Sequence, residues 1–162
     1  MAIEIERKFL LSNSSWREEI YGSWQISQGY LSSAPERTVR VRILDQQAFI
    51  TIKSKTQGTK RAEFEYEIPI RDARELILLC ENSIIEKVRY LVKIENKTWE
   101  IDEFAGDNQG LIVAEVELET EEETITLPRW VGKEVSDKPR YFNASLIRHP
   151  YNQWTKSEKE NF

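Results

Sequence analysis

The 162-residue sequence contains a single cysteine, Cys80, and a single histidine, His149. One thiol can neither form an intrachain disulfide nor build a cysteine-rich zinc site, which suits a reducing cytoplasm. One imidazole argues against histidine catalysis and against a multi-histidine metal site. Cys80 reads as a small core hydrophobe, and His149 as a surface or packing residue near the C-terminal end. Long apolar runs are absent as well. No stretch approaches the ~20 apolar residues of a membrane span, and the opening MAIEIERKFLL, charged from its fourth residue, lacks the apolar core of a signal peptide. Basic surplus is the last absence. With 23 Lys and Arg against 28 Asp and Glu, the formal net charge is -5, which argues against a broad nucleic-acid-coating face and leaves room for a local basic pocket.

What the chain does have is charge, 31% of its residues against roughly 25% in an average soluble domain. The length fits one domain, expected over residues 1–151 and followed by a polar tail, 152–162. Period-two alternation marks seven strands: Ile3–Phe9, Thr38–Ile43, Ala48–Lys55, Glu63–Ile70, Glu86–Ile94, Thr98–Phe104 and Leu111–Glu119. Turn residues separate them at Asp45-Gln46-Gln47, Gln57-Gly58-Thr59, Glu95-Asn96-Lys97 and Gly106 through Gly110, so an antiparallel meander follows. Helices are expected from an Asp72 cap through Glu81, with Leu76, Ile77, Leu79 and Cys80 available for burial, and within Glu121–Leu127. The five tryptophans read as packing residues.

Residues two apart in a strand share a face, and here the faces sort by charge. Glu4, Glu6 and Lys8 lie opposite Ile3, Ile5 and Phe9, with Arg7 the exception. Arg40 and Arg42 alternate with Val39, Val41 and Ile43; Lys53 and Lys55 share a face with Thr51; Glu63 and Glu65 alternate with Phe64 and Tyr66. Lys87 and Arg89, Glu100 and Asp102, and Glu115 and Glu117 continue the pattern. The ordinary meaning of such alternation is a sheet with one solvated face. A merely solvated face would mix its polar residues, whereas these strands are separately acidic or basic, and like charges two apart repel unless they share a ligand of opposite sign. Closing about eight such strands into a barrel removes the sheet edges and turns the charges inward. Carboxylates in that interior suit hard divalent cations, while Arg and Lys suit phosphate.

The motif Glu4-Ile5-Glu6-Arg7-Lys8 resembles the ExExK signature of the CYTH superfamily, the triphosphate tunnel metalloenzymes. The likeness continues in order through Arg40-Val41-Arg42, Ile52-Lys53, Glu63-Phe64-Glu65, Glu86 to Tyr90, Ile101 to Gly106, Glu115-Val116-Glu117, and Val135-Ser136 through Arg140-Tyr141 and Asn143. Within the family, the match is closest to the small stand-alone bacterial inorganic triphosphatases. The resemblance implies a mainly β fold, a closed eight-stranded antiparallel barrel with a few flanking helices. It also implies dependence on a divalent metal, Mg²⁺ or Mn²⁺, held by Glu4, Glu6, Asp102, Glu115 and Glu117. Lys8, Arg40, Arg42, Lys53, Lys55, Lys87, Arg89 and Arg140 would hold a small triphosphate, with Pro139 a departure that bears on how Lys138 and Arg140 enter the tunnel. Catalysis would involve Lys8, Lys87, Glu63 and Glu65, the two glutamates either orienting the basic side chains or accepting a proton from water.

Tripolyphosphate hydrolysis in the cytoplasm is the expected function. A class IV adenylyl cyclase, a nucleoside or thiamine triphosphatase, and a non-catalytic polyphosphate- or nucleotide-binding module are the alternatives. The acidic set favours catalysis, because bare carboxylates do not help to bind a polyanion unless metals occupy them. No nucleic-acid or membrane partner is expected, and a homodimer is left open.

Overall fold

A computed structural model describes residues 2–160 of the chain. Nine strands form one antiparallel sheet: β1 Ala2–Leu11, β2 Ile20–Ser32, β3 Arg37–Leu44, β4 Gln47–Ser54, β5 Lys60–Ile68, β6 Glu81–Ile94, β7 Lys97–Phe104, β8 Ile112–Glu117 and β9 Val131–Glu134. The hairpin turns sit where the sequence places them. Asp45 and Glu95, at φ 54° and 56°, take the left-handed conformation that two-residue hairpin loops require. All seven expected strands are present, with ends moved by a few residues. β2 and β9 are additional: Ser, Gln and Gly blur the alternation of β2, and β9 has only four residues.

The sheet closes on itself. Its order is β5-β4-β3-β2-β6-β7-β8-β1, and β5 pairs back onto β1 through Ile3 with Ala62 and Glu4 with Arg61. Eight strands therefore form a barrel. β9 lies along the last residues of β1 beyond the reach of β5, with Phe9 opposite Glu134. This explains the exceptional Arg7. Its side chain faces outward and grips Glu134 in a two-pronged ion pair, with Nη2 at 2.7 Å and Nε at 3.1 Å.

The outer apolar rows are mostly covered. Phe9, Trp16, Val92, Trp99, Ile101, Val116 and Trp130 form one core against the outside of β1, β6, β7 and β8. The helix α1, Ile70–Ile77, packs Ala73, Leu76 and Ile77 onto Val41 and Ala48 on another side. Toward one end the inward rows also turn apolar. Leu10 follows Lys8, Ile85 precedes Lys87, Phe104 follows Asp102 and Val113 precedes Glu115, and all join a core with Val135, Tyr141, Leu146, Ile147 and Trp154. The C-terminal segment thus fills that end of the barrel. It contains the short helices α2, Asn143–Leu146, and α3, Lys156–Glu160. Trp154 is buried against Tyr141 and Tyr151, and exposed His149 stacks on it and contacts Glu158 at 3.2 Å. Of the tail 152–162, the last two residues lie outside those described. Among the described residues, no helix is long and apolar enough to cross a membrane.

Two helix expectations are corrected. α1 begins at Ile70 behind Pro69, whose fixed φ suits a helix entrance, so Asp72 occupies the first turn instead of capping. It ends at Ile77 because the next three amides bond three residues back and tighten the chain into a turn, which leaves Leu79 exposed. No helix forms over Glu121–Leu127. There, Glu123 accepts a hydrogen bond from the Glu119 amide at 2.6 Å and pairs with Lys97 at 2.7 Å, and Ile125 packs on the tryptophan-rich core.

Gly29 on β2 lies against the end of α1. A Cβ there would meet the Cβ and Sγ of Cys80 and the Cδ1 of Ile84, all at 2.8 Å. Gly29→Ala is therefore expected to cost about 1–3 kcal/mol of stability through overpacking. Urea unfolding provides the measurement, and an unchanged midpoint would contradict this packing.

Candidate active site

The barrel encloses a cavity of about 530 Å³. Nine basic side chains line it: Lys8, Arg40, Arg42, Lys53, Lys55, Arg61, Lys87, Arg89 and Arg148. Seven carboxylates face them: Glu4, Glu6, Glu63, Glu65, Glu100, Glu115 and Glu117. The chain as a whole is acidic, yet its cavity is lined by more bases than acids.

Strand order separates the two signs. Going round the barrel, β7, β8, β1 and β5 are neighbours and carry Glu100, Asp102, Glu115, Glu117, Glu4, Glu6, Glu63 and Glu65. The other four, β4, β3, β2 and β6, carry Lys53, Arg40, Arg42, Lys87 and Arg89. One wall is acidic and the other basic, with Lys8 and Arg61 as basic intrusions. Strands far apart in sequence are thus assembled into two facing surfaces of opposite charge.

On the basic wall, Arg40 Nη2 donates to Thr51 Oγ1 at 3.1 Å and lies 3.6 Å from Glu65, while Thr51 donates to Glu65 at 2.8 Å. Arg40 Nε is buried without an acceptor, a costly state that an anion would relieve. Burial, with Arg40 and Arg89 close by, brings Arg42 down to about 9. Lys53 bridges to the other wall, 3.0 Å from both oxygens of Glu4 and 3.5 Å from Glu63. Lys8 lies 3.5 Å from Glu115. Burial favours protonation of Glu115, but Lys8 and Arg89 outweigh it and hold the group at about 2.

Asp102 is almost wholly buried and saturated. Its oxygens accept from Arg89 Nε at 2.8 Å, Arg89 Nη2 at 2.9 Å and Lys87 Nζ at 2.7 Å. Burial would raise its pKa, yet the two cations keep it far below the ordinary carboxylate range. It is not among the cavity-lining residues, unlike the other four carboxylates expected as metal ligands.

Those four fit a hard divalent cation. Glu6 and Glu117 face each other directly across β1 and β8, and among the described residues neither carboxylate makes an ion pair. Like charges so placed repel unless a cation joins them. Burial and the nearby Glu115 and Glu4 push Glu6 up to about 8, the mark of a carboxylate short of positive charge. Glu4 leans on Lys53 and on Arg61, whose Nε is 3.3 Å away. Among the described residues, no three such groups already converge as a closed cage.

Lys55 lies just past the end of β4, exposed at the cavity rim. Arg140 sits in the 3₁₀ turn Pro139–Tyr141, where its guanidinium lies over the rings of Tyr141 and Trp154 at 5.8 and 5.9 Å; it does not line the cavity. Arg61 and Arg148 also line the cavity without a role expected from the sequence. Arg61 was legible, since it shares a face with Glu63 and Glu65, but the expected strand started two residues beyond it. If Asp102 anchors Lys87 and Arg89, Asp102→Ala should destabilise the fold by about 3–5 kcal/mol by leaving buried cations unpaired, and the more exposed Glu65→Ala by less than about 1 kcal/mol. Equal losses in chemical denaturation would contradict that anchoring role.

The family model for the CYTH domain matches residues 2–151. The inorganic triphosphatase of Acetivibrio thermocellus is 41% identical over 152 residues, which cover 93% of this chain and 97% of that protein. The inorganic triphosphatase of Nitrosomonas europaea is 33% identical over 148 residues, 88% of this chain and 95% of the relative. A crystal structure of an inorganic triphosphatase superposes with a TM-score of 0.63 at 32% identity, covering 89% of this chain and 97% of the other. Barrel, wall chemistry and sequence agree, and the chain belongs to the CYTH domain family.

Proposed function

We propose that the protein hydrolyses inorganic tripolyphosphate to diphosphate and phosphate with the help of a divalent metal, Mg²⁺ or Mn²⁺. The observation that carries this reading is the division of one enclosed cavity into a basic and an acidic wall. A phosphate chain alone would leave Glu6 and Glu117 uncompensated, and a metal alone would do nothing for Arg40 and Arg42. The two relatives named inorganic triphosphatase support the choice of substrate. A cytoplasmic setting suits a chain with one cysteine.

In this mechanism Arg40, Arg42, Lys53, Lys87 and Arg89 neutralise the phosphate oxygens, with the arginines supplying planar paired donors and the lysines compact charge. Lys8, on the opposite wall, reaches the phosphates from the acidic side, and Lys55 meets the chain at the rim. Glu4, Glu6, Glu115 and Glu117 would hold the metal, which supplies charge neutralisation at phosphate and a more acidic water. Asp102 serves from beneath by fixing Lys87 and Arg89. Glu63 and Glu65 orient Lys53 and Arg40, the role their ion pairs favour over that of general base. Water attacks the terminal phosphorus in line with the leaving diphosphate, and positioning plus charge stabilisation account for the catalysis.

Three outcomes are expected. Chelation, or Glu6→Ala, should abolish phosphate release from tripolyphosphate while the circular dichroism spectrum stays native; turnover in chelated buffer would remove the metal from the reading. Arg40→Ala and Arg40→Lys should each lose roughly ten- to a hundredfold in kcat/KM, as expected for about 1.5–3 kcal/mol of charge-assisted bonding, whereas Arg74→Ala on α1 should match wild type. Equal rates in all three would indicate a merely wet face. Tripolyphosphate and Mg²⁺ together should raise Tm by more than the sum of their separate effects, because each leaves one wall uncompensated on its own. Simple additivity would count against a shared cavity.

A further inference from the structure

Most basic groups of the cavity meet carboxylates: Lys8 meets Glu115, Lys53 meets Glu4, Arg89 meets Asp102 and Arg40 approaches Glu65. Arg42 differs, since among the described residues it makes no ion pair. Its Nε donates to Gln28 Oε1 at 2.7 Å. Gln28, fully buried on β2, passes its own Nε2 to Asn143 Oδ1 at 2.9 Å. The same Asn143 oxygen accepts from Lys87 Nζ at 2.9 Å. Two neutral amides therefore join Arg42 on β3 to Lys87 on β6 across the strand between them, and tie both to the first residue of α2.

We propose that Gln28 and Asn143 form a positioning pair that fixes Arg42 and Lys87 for the phosphate chain without neutralising either. The inference rests on the triphosphatase reading above. A carboxylate at position 28 would hold Arg42 more tightly and cancel the charge the substrate needs. An amide holds Arg42 by Nε alone and leaves its four terminal N–H groups free of that bond. Lys87, engaged by Asp102 and Asn143, keeps one N–H for the cavity it lines. The direction of the relay is also fixed. Gln28 must turn its oxygen to the guanidinium and its nitrogen to Asn143, since the reverse would set donor against donor.

A double-mutant cycle distinguishes positioning from mere core filling. Gln28→Leu keeps the approximate volume and removes both hydrogen bonds. It is expected to lower kcat/KM for tripolyphosphate at least tenfold in the otherwise wild-type protein, and by clearly less in an Arg42→Ala background, because the part of its effect that passes through Arg42 is gone there and only the part through Asn143 and Lys87 is left. If Gln28→Leu does not fold, the unbranched Gln28→Met carries the same cycle. A loss that multiplies fully with Arg42→Ala, or wild-type kcat/KM in Gln28→Leu, overturns the positioning pair. Absence of turnover by the wild-type protein overturns the triphosphatase reading instead, and the same cycle is then read in the Kd for tripolyphosphate by calorimetry.

Discussion

Asp102 is the point on which the interior depends. Burying an ammonium, a guanidinium and a carboxylate in a barrel costs several kcal/mol per ion unless geometry returns it, and here every Asp102 oxygen has a charged donor within 2.9 Å. The group makes Lys87 and Arg89 tolerable on one strand, two residues apart and both nearly inaccessible. Such a pair is weak evidence for stability in general, since apolar residues often do as well. Its use here is to keep positive charge in place, oriented and dry, beside a cavity. Lys8 and Glu115, and Lys53 and Glu4, repeat the arrangement more loosely and closer to the open space.

Barrel closure turns those local pairings into a site. Four acidic strands and four strands that are basic or neutral are contiguous round the circumference only because β5 returns to β1, as Glu4 opposite Arg61 makes visible. Without that seam, Glu63 and Glu65 would lie at a free edge, far from Glu4. The apolar end of the barrel contributes by exclusion. Tyr30, Ile85, Phe104 and Val113 pack against the C-terminal segment, so the charged rows end against an apolar core that this segment completes rather than at a second opening.

Much of this could be read from the chain because period two is a strong signal when both faces are pure. β3, β6, β7 and β8 each set one sign of charge on the inward face, β1 and β5 do so apart from Lys8 and Arg61, and the inward set followed from them. β2 was legible only through Gly29-Tyr30 after Gln28, which resembles a family strand leading into the tunnel; Ser, Gln and Gly between aromatics blur its alternation, and no site role for Gln28 followed. Arg61 was lost to a strand boundary, the least certain part of any such reading. Arg140 stood in the right motif, but a residue outside the barrel strands takes its direction from tertiary packing, and Tyr141 and Trp154 hold it. The same override removed the helix expected over Glu121–Leu127, where Lys97 and the hydrophobic core claim Glu123 and Ile125.

The two walls touch where Lys53 meets Glu4 and Glu63. Lys53 reaches across to Glu4, and within the acidic wall Lys8 pairs with Glu115, so groups suited to phosphate and groups suited to a cation satisfy one another. This mutual pairing explains how so charged a cavity is compatible with a stable fold, and it also governs what can enter. A polyanion that drew Lys53 away would strip Glu4 of a partner; a cation that drew Glu4 away would strip Lys53. Either ligand alone exchanges one compensated charge for an uncompensated one in a poorly hydrated space, where that loss is largest. Together they would replace each internal pair with a closer match, phosphate oxygens for the lysines and a hard cation for the carboxylates. On the triphosphatase reading, a preference for a metal-bound polyphosphate over either component would follow from the same internal pairing that makes the charged interior compatible with the fold.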